Sequence, residues 1–252
     1  RASSGFQTTT ILVKGNIENN GLITETNGNI GSQIEIGGNT NTTFSTVENG
    51  ITNDVSLRIN KGNGTNVTAL TDIILPNTDY SKLTLTSGNI DMQSNNKLLF
   101  IQNPAFDALI GGTVASHVIG KLKRNSNQQR TYEFPVSDNA VSLAKFEVTT
   151  TNTNASDWIV EFLPLNPFSN VGLNPGIIDV VTKYAWEVTR SGTTPSNGNF
   201  ITLFYGSLTT SGVLIPAQLK VVQWNGSSWI NLGGNDAGGS VANSLGSTGG
   251  AA

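Results

Sequence analysis

Through its first hundred residues the chain never holds one apolar pattern for more than a few positions before asparagine or glycine interrupts it. Thr10-Ile11-Leu12-Val13, Gln33-Ile34-Glu35-Ile36, Val55-Ser56-Leu57-Arg58-Ile59 and Leu83-Thr84-Leu85-Thr86 alternate apolar with polar side chains and then stop. A period of two throws successive side chains to opposite faces, so these segments read as short strands, not helices. With 31 Asn, 30 Thr and 28 Gly among 252 residues, and few of the Lys, Glu and Leu that build helices, a helical bundle is excluded. The tripeptide Gly-Asn-Ile recurs at Gly15, Gly28 and Gly88. Short strands with tight polar corners predict an irregular, β-helix-like β-solenoid, in which every coil pairs with the coils above and below. Asparagines would align in ladders at the corners, with Thr, Val and Ile filling the interior. At roughly 20 residues per coil and about 4.8 Å of rise, this half would be a stub some 20–25 Å long. An ordinary β-sandwich with Asn-rich loops is the other reading of the same half.

The chain changes character between Gln102 and Asp107. Five aromatics precede that segment or fall in it, and thirteen follow, including all four tryptophans. Longer alternating runs then appear, among them Trp158-Ile159-Val160-Glu161-Phe162, Tyr184-Ala185-Trp186-Glu187-Val188 and Phe200-Ile201-Thr202-Leu203-Phe204. Asn225-Gly226 joins two Trp-bearing runs, and because both residues accept positive φ it predicts a tight hairpin. The expected fold class is therefore all-β: a solenoid over 1–106, an antiparallel Ig-like β-sandwich over 107–233, and a Gly/Ser-rich tail, linker or donated strand over 234–252. A solenoid needs something on its open ends. The short polar Arg1–Thr9 is all that precedes the first strand, so the chain is expected to be one unit of a larger surface protein or filamentous assembly, with neighbouring copies or adjoining domains as partners.

Several stretches resemble a module of large secreted and surface proteins of Bacteroidota, a β-solenoid followed by a sandwich. They are Leu83-Thr84-Leu85-Thr86-Ser87-Gly88-Asn89-Ile90, Gly120-Lys121-Leu122-Lys123-Arg124, Tyr132-Glu133-Phe134-Pro135-Val136, Tyr184-Ala185-Trp186-Glu187-Val188, and Leu219 to Gly233 around Trp224-Asn225-Gly226-Ser227-Ser228-Trp229. The resemblance implies export by the type IX secretion system, an extracellular or outer-surface location and an adhesin-like role. Such motifs speak to architecture and address, not to chemistry. Ser137 stands where glycine is expected after Phe134-Pro135-Val136, and the sorting domain of such exported proteins is missing.

Chemistry has few candidates. The net charge of −3 argues against nucleic acid, which demands clustered Lys and Arg. No apolar run reaches the ~20 residues of a membrane-crossing helix. With no cysteine and only His117, the usual zinc ligand sets are ruled out, and His117 reads as a surface residue at the junction, not a triad member. The acids of the first half are scattered. Glu25 and Glu35 would stack on neighbouring coils only if the coil length allowed it, and Asp54 and Asp236 are the acids that calcium could use. No catalytic residue, cofactor or metal ligand is expected, and the chain reads as non-enzymatic. The one basic concentration, Lys121, Lys123, Arg124 and Arg130, could meet acidic cell-surface glycans or simply charge a hairpin edge against mispairing. The alternative function is a carbohydrate-binding module stacking sugars on exposed Trp229 or Trp158. The expected contact residues are thus Lys121, Lys123, Arg124 and Trp229.

Overall fold

The structure, a computed structural model, describes residues 9–25, 31–62, 64–168, 171–192, 199–204, 218–236 and 240–245. It is all-β, with half of the residues in strands. The first part is a β-solenoid of about five turns with three sides. One side stacks β1 (Thr10–Val13), β3 (Gln33–Gly38), β5 (Ser56–Lys61), β8 (Leu83–Ser87) and β11 (Leu109–Gly111), all parallel. A second stacks β2 (Ile17–Asn19), β4 (Thr42–Thr46), β6 (Asn66–Ala69), β9 (Asn89–Asp91), β12 (Val118–Ile119) and β15 (Val136–Ser137). The third is β7 (Ile73–Leu75), β10 (Leu98–Ile101) and β13 (Lys121–Ser126), prolonged below by a parallel bridge from Ile23 to Ile51.

The register fixes the coil length. Thr10 lies opposite Gln33, Gln33 opposite Ser56, Leu57 opposite Leu83 and Leu83 opposite Leu109, so these coils advance 23, 23, 26 and 26 residues. That is longer than the expected coil, because each one turns three corners. Parallel in-register stacking puts like on like in the interior: Ile34, Leu57, Leu83 and Leu109 form one column, Val67, Ile90, Val118 and Val136 another, and all are buried. The stack runs past the boundary expected at residue 106, since β11, β12, β13 and β15 lengthen all three sides.

Asparagine works at the corners, where the backbone ladder is interrupted. Asn41, Asn66 and Asn89 stand one above the other, with His117 next in the column. Asn41 Oδ1 accepts the Asn66 N–H at 2.9 Å, and Asn89 Oδ1 accepts the buried His117 N–H at 3.0 Å. Asn16 Oδ1 does the same for Thr43 N–H. The Gly-Asn-Ile tripeptide takes part in this at two copies: at Gly15 only Asn16 makes the coil-to-coil bond, the glycine having open space around it. In the copy at Gly88, φ of +69° and the close approach of Lys61 leave no room for a Cβ, Asn89 bonds the next coil, and Ile90 enters the core. The copy at Gly28 lies outside the described residues. Serine and other asparagines add the same coil-to-coil bonds: Ser81 Oγ to Val55 O, Ser116 Oγ to Gly88 O, and Asn103 Nδ2 to Ser81 O.

Antiparallel pairing begins at β13, whose other edge takes β17 (Ser156–Leu163) and then β18 (Ala185–Gly192). A second antiparallel sheet runs β14 (Thr131–Phe134), β16 (Phe146–Thr149), β19 (Asn199–Phe204), β23 (Ser240–Leu245) and β22 (Asn235–Asp236). The expected hairpin forms as β20 (Val221–Trp224) and β21 (Trp229–Gly233). Two pieces of the expected tail, β22 and β23, are therefore strands of the chain's own sheet, and residues 237–239 and 246–252 lie outside the described residues.

Two predictions follow from the stack. Asn89→Ala strands the buried His117 N–H and should lower unfolding free energy by about 1–3 kcal/mol, read by urea denaturation. Lys61 ends β5 on its inward face, 1% exposed, its Nζ donating to Gly37 O at 3.0 Å and Thr42 Oγ1 at 3.2 Å. Burial lowers its pKa below the ordinary 10.5. Between that lowered value and 10.5 the unfolded chain holds more protons than the folded one, so this group makes stability rise with pH there. Relative to Lys61→Met, wild type should gain stability across that window in denaturation series at stepped pH.

Candidate binding cleft

Of the four expected contact residues, β13 presents two outward and buries one. Lys121 Nζ donates to Asn96 Oδ1 at 2.9 Å and lies 3.7 Å from Glu161. Lys123 pairs with Asp157 at 2.9 Å and sits 4.1 Å above the Phe100 ring. Both cations are thus engaged within the outer face of the sheet. Glu161 meets Glu187 across the strands, and its carboxyl pKa is raised by burial, opposed by Lys121 and reinforced by Glu187.

Arg124 points the other way. It continues the inward column Leu75–Ile101–Arg124 and is 1% exposed, so it is not a surface contact for glycans. Its guanidinium donates to the carbonyls of Glu133 (2.9 Å), Phe106 (2.9 Å) and Ala105 (3.3 Å) and lies against the Tyr132 ring, 5.3 Å from its centroid. Burial brings its pKa down to about 10, Tyr132, Glu133 and Asp107 opposing the shift. Arg124 is a cationic plug where the parallel stack hands over to β17. Arg130 instead lies over the exposed Phe106, 5.7 Å from the ring centroid.

His117 is buried at a corner and not at the surface, with Nδ1 3.1 Å from Thr113 O and Nε2 2.7 Å from Asn139 O. Glu25 accepts the Ser32 N–H, whereas Glu35 accepts from Asn60 Nδ2 and lies 3.6 Å from Arg58, so the two acids do not stack together. Asp54 is buried beside β5, and Asp236 belongs to β22. Among the described residues no group of three or more His, Asp or Glu is placed to hold a metal ion.

The expected sugar platforms are interior. Trp158 is fully buried with Nε1 on Ser126 Oγ, and Trp229 is 6% exposed with Nε1 donating to Phe168 O at 2.9 Å. Beside Trp229, however, a cleft of about 880 Å³ opens among β18, the β20–β21 hairpin, the inward ends of β16 and β19, and the segments around Phe168 and Val180. Aromatic rings gather on two of its walls. On the hairpin wall Phe168 stacks on Trp224, centroids 4.8 Å apart and planes within 10°, and Trp224 tilts onto Trp229 at 5.6 Å. On the β18 wall Tyr184 and Trp186 meet at 5.6 Å, backed by the buried Phe162 of β17 at 5.5–5.9 Å. Trp186 Nε1 donates to Ala144 O at 2.9 Å, which fixes its ring. The sequence carries a signal for these residues, the Trp-bearing runs either side of Asn225-Gly226, but alternation does not tell which ring faces the cleft.

Comparison with protein-family models, with curated proteins and with solved structures finds no match to this chain.

The Arg124 site yields a prediction. Arg124→Ala leaves three carbonyls without their donor and a void at the end of the column, and should cost roughly 3–5 kcal/mol. Arg124→Met fills the void and should recover part of that loss, as measured by chemical denaturation of both variants.

Proposed function

We propose that this chain is a non-enzymatic structural segment of an extracellular, adhesin-like surface protein, and that it joins its neighbours through the open N-terminal end of the stack. One observation carries the reading. Ile11 occupies an inward position opposite Ile34, yet it is 55% exposed where Ile34 is 3% exposed. Among the described residues the first coil therefore leaves Ile11 uncovered, beside strands β1 and β2, which are terminal in their sheets. An open ladder edge beside an uncovered apolar side chain is a surface built to receive another strand layer. A neighbouring copy or an adjoining domain is the partner.

The resemblance supports the remaining parts of this reading: a Bacteroidota surface protein carried across the outer membrane by type IX secretion. The absence of cysteine agrees with a large secreted β protein whose stability comes from sheet pairing. The antiparallel sheets serve as an Ig-like sandwich, an assignment supported by the aromatic contact of Phe134 on Phe146 in one sheet and the buried Trp158, Val160 and Phe162 in the other. The outer surface is where such a segment belongs.

Sedimentation velocity over a concentration series tests the assembly. Wild type should associate as concentration rises, and Ile11→Lys with Leu12→Lys should shift the mass toward the monomer while leaving the circular dichroism unchanged. A wild-type chain that stays monomeric throughout would overturn this reading.

A further inference from the structure

We propose that the cleft between β18 and the β20–β21 hairpin is a carbohydrate-binding site that takes a neutral oligosaccharide. This goes beyond the assembly reading and does not depend on it. The volume of about 880 Å³ lies within the range of pockets that hold small-molecule ligands. The walls combine two kinds of group. Trp186 and Trp224, each only partly buried, both bring ring systems to the lining. Their neighbours hold them still: Trp186 through its bond to Ala144 O, Trp224 through the stack on Phe168 and the contact with Trp229. Rings fixed before binding lose little freedom when a ligand arrives.

Amides share the lining with the rings. Asn231 is exposed at the cleft; its Oδ1 accepts the Gly233 N–H at 2.7 Å, while Nδ2 lies beside Gly176, another residue of the lining. Gln218 contributes a second exposed amide. A sugar matches both kinds of group, with C–H faces for the aromatic rings and hydroxyl edges for the amides. A purely hydrocarbon ligand would remove these amides from water without replacing their hydrogen bonds. Charge narrows the class further. Lys183 and Lys220 line the cleft together with Asp179 and Glu187, so the charges cancel and give neither an anionic nor a cationic ligand an advantage. A neutral glycan is the class that uses the rings and the amides and needs no net charge.

The test titrates the whole chain with cellotetraose, laminaritetraose, mannotetraose and xylotetraose, with tetragalacturonate as the anionic control and palmitate as the hydrocarbon control. Tryptophan fluorescence and calorimetry are the readouts. At least one neutral tetrasaccharide should bind saturably. Trp224→Ala should weaken it about tenfold or more, and Trp224→Phe, which keeps a ring on Phe168, should stay within about threefold. Asn231→Asp keeps the acceptor for Gly233 N–H and removes the amide donor; it should weaken binding about fivefold with an unchanged melting temperature. That variant decides the matter if Trp224→Ala does not fold. Binding of none of the four sugars, binding of palmitate or tetragalacturonate alone, or sugar binding indifferent to both Trp224 and Asn231 would overturn the site.

Discussion

Everything in this molecule depends on the bond between one coil and the next. On the three sides, parallel strands supply it through backbone N–H and C=O groups. At the corners, where the chain turns and the ladder breaks, side chains take over. A buried N–H left without a partner costs on the order of 1–3 kcal/mol, and a stack repeats its corners at every level, so a fold of this kind needs many short side chains that can both donate and accept. Asn16, Asn41 and Asn89 each bond a backbone N–H one coil further on. The unusual asparagine content of the chain is the compositional trace of that demand.

The same geometry explains where the stack changes hands. Parallel columns tolerate apolar residues at every level, and the column Leu75–Ile101 accepts a cation only at its last position, Arg124, because carbonyls of Ala105, Phe106 and Glu133 converge there. On the next strand Trp158 lies opposite Arg124, and the sheet continues antiparallel through β17 and β18. The cleft belongs to this second region, where two sheets and a hairpin surround a space that the regular coil packing does not reach.

Much of this was legible in the sequence, and the misreadings have physical causes. Short alternating runs bounded by Asn and Gly announced strands, and the Gly-Asn-Ile repeat marked corners. Coil length was not readable, because corners of different size add residues without changing the strands; only the register reveals advances of 23 and 26. Charge groups Arg124 with Lys121 and Lys123, whereas alternation from Leu122 puts it on the inward face. The sequence offers Trp229 and Trp158 as platforms because it shows that an indole exists, not which side of a sheet faces water. Trp224, one strand away from Trp229 across a two-stranded ladder, keeps part of its ring accessible because it lies on the cleft and not beneath it.

The position of Arg124 also sets how such a molecule can grow. Below it, neighbouring levels meet chiefly through matched strand columns and corner side chains, so duplicating one whole coil would insert a nearly self-consistent layer and lengthen the shaft by about 4.8 Å. Above it the pattern is not self-similar, and a copied coil would find a guanidinium and three carbonyls where it needed leucine. Length can therefore vary in whole-coil steps on one side of this arginine while the ring-lined head on the other side is left undisturbed, so that reach and recognition can evolve separately.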